Sequence, residues 1–175
     1  LAGVGGSGRC VEAAELGLPE DAAVRFIFPH APNLPVTING GMTMPAWYDI
    51  RAMDIDRVVD TEQLMASARA VGKLVQREIE KGIPAHRIII AGFSQGGAVA
   101  YELGLSYPEC LGGILALSTY FATADSVQRS ESNANVPISV YHGTFDPMVP
   151  DTLAWRCYKS LKTKAYTPTY ASSPM

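Results

Sequence analysis

Arg87-Ile88-Ile89-Ile90-Ala91-Gly92-Phe93-Ser94-Gln95-Gly96-Gly97-Ala98-Val99-Ala100-Tyr101-Glu102-Leu103 is the stretch on which the reading of this chain turns. Ile88 to Ala91 has the apolar, β-branched density of a buried strand, and the residues after Gly96 suit a helix. Between them lies G-x-S-x-G, the pattern of a nucleophile elbow. The pattern has a steric reason: a serine on a tight strand-to-helix turn needs small residues two before and two after it, so that the backbones can pass. Gly92 and Gly96 fill those places. A bare G-x-S-x-G is often only a turn, but the strand and helix that flank this one make Ser94 a candidate nucleophile.

Outward from the elbow, short apolar runs alternate with helical periodicity. Gly113 to Leu117 and Ile138 to His142 read as strands covered on both faces. Leu64, Met65, Ala68, Val71, Leu74, Val75 and Ile79 recur at helical spacing within Thr61 to Lys81, where Gly82 and Pro84 then stop the helix. Further helices are expected at Gly96 to Ser106 and Thr152 to Leu161. The alternation predicts an α/β fold with a mostly parallel sheet, helices on both faces and right-handed crossovers. Ahead of this, residues 1 to 8 read as a glycine-rich loop, Arg9 to Leu16 as a short helix ending at Gly17, and Val24 to Phe28 as a strand closed by Pro29. A long Pro/Asn/Gly-containing connection then runs through Trp47, Tyr48 and Asp49, of a length that is usually functional.

With 175 residues, 47% of them apolar and 18% charged, residues 1–175 form a single domain with a core of its own. A net charge of -3 without a basic block gives no footprint for nucleic acid or an anionic membrane surface. No segment has the roughly twenty apolar residues of a membrane span, and nothing at the start resembles a signal peptide, so a cytoplasmic location is the expectation. Cys10, Cys110 and Cys157 are odd in number and scattered, as suits free thiols rather than a disulfide framework or a zinc site.

In a parallel sheet the strand ends along one edge meet even when distant in sequence. Asp146 follows the strand Ile138 to His142 and is therefore a candidate to orient an imidazole and stabilise the imidazolium, although Asp-Pro alone is commonly a turn. The Gln95 N–H, opening the elbow helix, is a candidate donor to an oxyanion, and a second is sought in the turn Gly3-Val4-Gly5. Met42, Met44, Trp47 and Tyr48 offer an apolar wall for an acyl group.

These segments resemble the phospholipase/carboxylesterase family of α/β-hydrolase fold, which includes acyl-protein thioesterases and bacterial carboxylesterases. The resemblance rests on Phe28-Pro29-His30-Ala31-Pro32-Asn33, Asn39-Gly40-Gly41 with Trp47-Tyr48-Asp49-Ile50, Gly92 to Gly97, Leu115-Ala116-Leu117-Ser118, and His142-Gly143 with Asp146-Pro147 and Val149-Pro150. It implies that Ser94 is the nucleophile and Asp146 the triad acid. The N–H groups of Val4 and Gln95 are then the oxyanion hole, and Trp47 and Met148 border the acyl pocket. The activity it implies is hydrolysis of carboxylic esters, for which no metal or organic cofactor is required; the apolar wall of Met42, Met44, Trp47 and Tyr48, with no sign of a large lid, suits short to medium acyl chains, and a homodimer is left open. Acyl-protein thioesterase or lysophospholipase activity is the nearest alternative, and a non-catalytic binding module the alternative of another class.

Two departures stand out. The family's H-G-L-G turn is here Ala2-Gly3-Val4-Gly5, and its triad histidine, in a segment like P-M-G-H, is expected just beyond Pro174-Met175. Of the histidines present, His30 belongs to a loop outside the triad, His142 suits a satisfied core imidazole, and His86 enters a strand at the edge opposite Ser94. The chain is accordingly expected to be part of a longer one, without the first core strand in front or the histidine and a helix behind.

Overall fold

The computed structural model describes residues 2–3, 19, 22–53 and 57–174. A five-stranded parallel sheet runs in the order β1-β6-β7-β8-β9, with β1 at Ala2–Gly3, β6 at Ile89–Phe93, β7 at Gly113–Leu117, β8 at Ile138–Gly143 and β9 at Thr169–Ser173. Between β1 and β6 in the chain come two antiparallel pairs, β2 (Asn33–Val36) with β3 (Met42–Pro45) and β4 (Ile50–Ala52) with β5 (Val58–Val59). Three helices follow: α1 (Thr61–Glu80), α2 (Gln95–Ser106) and α3 (Asp151–Thr163). The expected strands and helices around the elbow thus form, within a residue or two of their ends.

The parallel register places Ile90, Gly92, Ile114, Ala116, Ile138, Val140 and His142 on one face of the sheet. Helix α2 lies on that face, so close that a Cβ at Gly104 would meet the Ile114 side chain at 2.5 Å. Because α2 is wedged between the sheet and α1, every residue from Gln95 to Leu105 is buried, which is why its sequence shows no polar stripe. Helices α1 and α3 are amphipathic. Leu64, Ala68 and Val75 of α1 and Leu153, Cys157 and Leu161 of α3 recur at turn spacing and join one core cluster. Asp60 caps α1 by accepting the Gln63 N–H at 2.9 Å, satisfying one donor of its first turn. The other face of the sheet is more open, with Ile89, Phe93 and Tyr141 exposed; the helix expected at Arg9 to Leu16 lies outside the described residues.

Three expectations change. Val24 to Phe28 forms no strand, since β1 runs over only two residues, too short a ladder to hold a further strand on its other edge. Ala2–Gly3, read as loop, instead pairs in parallel with Gly92 and Phe93 of the elbow strand. The long connection is folded: Thr37 sits at the top of the β2–β3 hairpin, where its N–H and hydroxyl donate to the Asp49 carboxylate at 2.7 and 2.6 Å.

Candidate active site

Ser94 lies between β6 and α2 with φ 52° and ψ -121°, a conformation that L-residues rarely adopt. The turn is tight enough that a Cβ on Gly92 would collide with the Gly96 carbonyl, and one on Gly97 with the Thr119 side chain. Glycine is required at both. The strained residue is fixed from β7 and just beyond it: the Ser94 N–H donates to the Leu117 carbonyl at 3.0 Å, and the Thr119 hydroxyl donates to the Ser94 carbonyl at 2.5 Å. Such strain persists only where surrounding structure over-determines it.

Gln95 begins α2, so its N–H belongs to the first turn of donors that have no partner within the helix, at the positive end of the helix dipole. Its side chain, buried beside the core, has a second task. Oε1 accepts the Trp47 N–H at 3.1 Å and Nε2 donates to the Tyr48 carbonyl at 2.8 Å, while the Ser67 hydroxyl donates to the Trp47 carbonyl at 2.5 Å. The Trp47-Tyr48 segment is thereby held against the elbow. Val4 lies outside the described residues; β1 ends at Gly3, in register with Phe93, one residue before Ser94.

Asp146 follows β8 on the same sheet edge as Ser94. Its Oδ1 accepts the N–H groups of Met148 at 2.8 Å and Val149 at 2.9 Å, and its own N–H donates to the Gly143 carbonyl at 3.1 Å. Among the described residues Oδ2 has no partner, so one oxygen anchors the loop and the other is available. Strand β7 stands between β6 and β8, so the two strands that lead to these candidate residues run roughly 10 Å apart, two strand spacings. No hydrogen bond joins Ser94 to Asp146 among the described residues, and in a triad an imidazole fills the gap between such a pair. Met148, exposed, belongs to the acid loop, while Trp47 is only 2% exposed against the elbow. A cavity of about 360 Å³ past the end of β7 is lined by Arg57, Tyr120, Phe121, Leu153, Arg156 and Cys157, without Trp47 or Met148.

None of the described histidines fills the gap. His30 is exposed in an irregular segment, and His86 lies in the turn before β6, at the opposite edge, beside a separate cavity. His142 is buried at 1% exposure as expected of a core imidazole, but neither ring nitrogen has a partner among the described residues, so the expected satisfaction is not seen. The end of β9 does come to the acid loop: the Thr144 N–H donates to the Ser173 carbonyl at 3.0 Å. Among the described residues there is no cluster of His, Cys, Asp and Glu suited to a metal ion, and no helix long and apolar enough to cross a membrane.

Several site residues escape a reading of the sequence. Thr119, Ser67 and the Gln95 side chain act through contacts between distant segments, and no local pattern marks them. Ser118 carries a weak signal, following a strand end, and it has a positive φ of 40° with its hydroxyl accepting the Gly143 N–H at 3.4 Å.

The chain is 42% identical over 136 residues to acyl-protein thioesterase 1 of Gibberella zeae, covering 73% of this chain and 58% of that protein. It is 41% identical over 160 residues to acyl-protein thioesterase 1 of Neurospora crassa, covering 86% and 65%. It thus spans about three fifths of the length of these relatives. A crystal structure of a variant of Arabidopsis thaliana SOBER1 superimposes with a TM-score of 0.83 at 27% identity, covering 91% of this chain and 79% of that one. The profile described as Phospholipase/Carboxylesterase matches residues 1–171, nearly the whole chain and every segment that builds the elbow and the acid loop. With its strained serine at the end of β6 and its parallel sheet, the chain belongs to the phospholipase/carboxylesterase family, of α/β-hydrolase fold.

Proposed function

We propose that the protein carrying this chain is a serine hydrolase that cleaves carboxylic esters of short to medium acyl chains through an acyl-enzyme. The observation that supports it most is Ser94 at positive φ, immediately before α2, whose first N–H groups receive no side-chain cap. Ser94 Oγ attacks the acyl carbonyl and loses its proton to an imidazole. The Gln95 and Val4 amides receive the negative charge of the tetrahedral intermediate. Collapse expels the alcohol, which takes the proton back from the imidazolium, and water then releases the acid by the same route. Asp146 orients the imidazole through Oδ2 and stabilises its charged form. We place the imidazole in the chain that leaves β9, because that strand end is bonded to Thr144 beside the acid loop. Trp47 and Met148 are proposed to border the acyl group.

The test is a burst of p-nitrophenol from a short-chain ester by the full-length protein, and its loss in Ser94→Ala. Equal hydrolysis by both would dismiss the assignment. Failure of a fluorophosphonate to label Ser94 would favour a binding module instead. The relatives named acyl-protein thioesterase favour a second reading, in which the acyl group is longer and the bond a thioester. Comparing oxygen with sulfur esters, from acetyl to palmitoyl, separates the two.

A further inference from the structure

Arg57, at the entry to β5, is joined to three separate parts of the chain. Nη1 donates to Met53 Sδ at 3.0 Å, and the guanidinium carbon lies over the Tyr120 ring, 4.7 Å from its centre. Nη2 donates to the carbonyl of Met148. Tyr120 is in turn bonded through its hydroxyl to the Tyr48 hydroxyl at 2.6 Å, and the Tyr48 carbonyl accepts the Gln95 side chain. A guanidinium stacked on a ring loses little further freedom in making a hydrogen bond, and a charged donor bonds a carbonyl more strongly than a neutral one.

The carbonyl that Arg57 holds is half of one peptide unit whose other half is the Val149 N–H. That N–H donates to Asp146 Oδ1 at 2.9 Å. The unit is planar, with its C=O and N–H pointing in opposite directions, so fixing the oxygen fixes the direction in which the N–H points. Donation to the C=O also polarises the N–H toward its own acceptor. The contact therefore reaches the carboxylate through a single rigid plate.

We infer that Arg57 is a positioning residue for the triad acid: through the Met148–Val149 peptide it sets the Asp146 carboxylate so that Oδ2 faces the imidazole. The inference rests on the hydrolase reading of Asp146. It also links the acid loop, by way of Tyr120 and Tyr48, to the segment held by Gln95, so that both ends of the reacting group share one support.

The experiment compares Arg57→Met and Arg57→Lys with the wild type in the full-length protein, reading amide hydrogen exchange at Met148 and Val149 together with ester kinetics. In Arg57→Met, exchange at these amides is expected to rise at least tenfold and kcat to fall about 10- to 100-fold with KM kept. The acidic limb of kcat/KM moves to lower pH, because an imidazolium less well supported by a carboxylate loses its proton more readily. Arg57→Lys, which keeps a charged donor, recovers part of each. Unchanged exchange at Val149 overturns the inference whatever the activity. So does faster exchange with kcat and the acidic limb unmoved, and so does acceleration throughout the sheet, which would mark Arg57 as general packing. A wild type that turns over no ester would sink the hydrolase reading, and the exchange comparison would still decide whether Arg57 clamps the loop.

Discussion

At the scale of single residues, the site depends on atoms that are missing as much as on those present. A methyl group at Gly92 has nowhere to go except into the backbone of Gly96, which cannot move without unwinding the first turn of α2. Gly92→Ala is therefore expected to lower the melting temperature by many degrees, equivalent to roughly 3 kcal/mol or more, read by thermal unfolding. Thr119→Val is milder. It removes the hydroxyl that holds the Ser94 carbonyl and leaves a side chain of nearly the same size. A stability loss of about 1 kcal/mol is expected, together with a several-fold fall in kcat at unchanged KM, because the strained serine relaxes away from the attacking geometry proposed for it. Kinetics at saturating ester would check it. Ser94 and Gly92 are legible in sequence because the turn's sterics are local. Thr119 is not, since its partner is 25 residues away across a strand boundary.

At the scale of elements, the buried ones were the readable ones. β6, β7 and β8 are central strands that advertise themselves by continuous apolar residues, and α1 by its stripe. β9 lies at the sheet edge, where Thr169-Tyr170-Ala171-Ser172-Ser173 needs no apolar run and shows none. The β2–β3 hairpin reads as loop because Pro35 and Pro45 fall within its strands, a placement that a free-standing two-stranded pair tolerates and a central strand does not. Its closure depends on Asp49. Desolvation raises the Asp49 pKa, but the two bonds from Thr37 and the Arg51 charge outweigh it, and the carboxyl is held below the ordinary aspartate value. A depressed folded-state pKa contributes stability that is present above about pH 4 and lost as pH falls through the lower, folded value. The hairpin is thus expected to become protease-sensitive in acid before the sheet unfolds. Asp49→Asn should bring that sensitivity to neutral pH, as limited proteolysis followed by mass spectrometry would show.

For the molecule as a whole, the core is continuous from Trp47 across α2 to α3, and Cys157 sits inside it with its thiol pKa pushed up to about 12, mainly by burial. Cys110 is exposed. A thiol reagent at pH 8 is expected to modify Cys110 at once and Cys157 only at the rate of global opening, which makes Cys157 labelling a measure of whole-domain stability. The strand order carries a consequence in time. From β6 to β9, position in the sheet repeats position in the chain, so each strand leaving the ribosome finds its neighbour already laid down. The bend bearing Ser94 is complete once β7 has docked, while Asp146 is still to be translated. During synthesis the strained turn at Ser94 therefore exists before the loop of Asp146, and the hydrolase proposed here would stay unarmed until the chain past the last strand of the sheet has emerged.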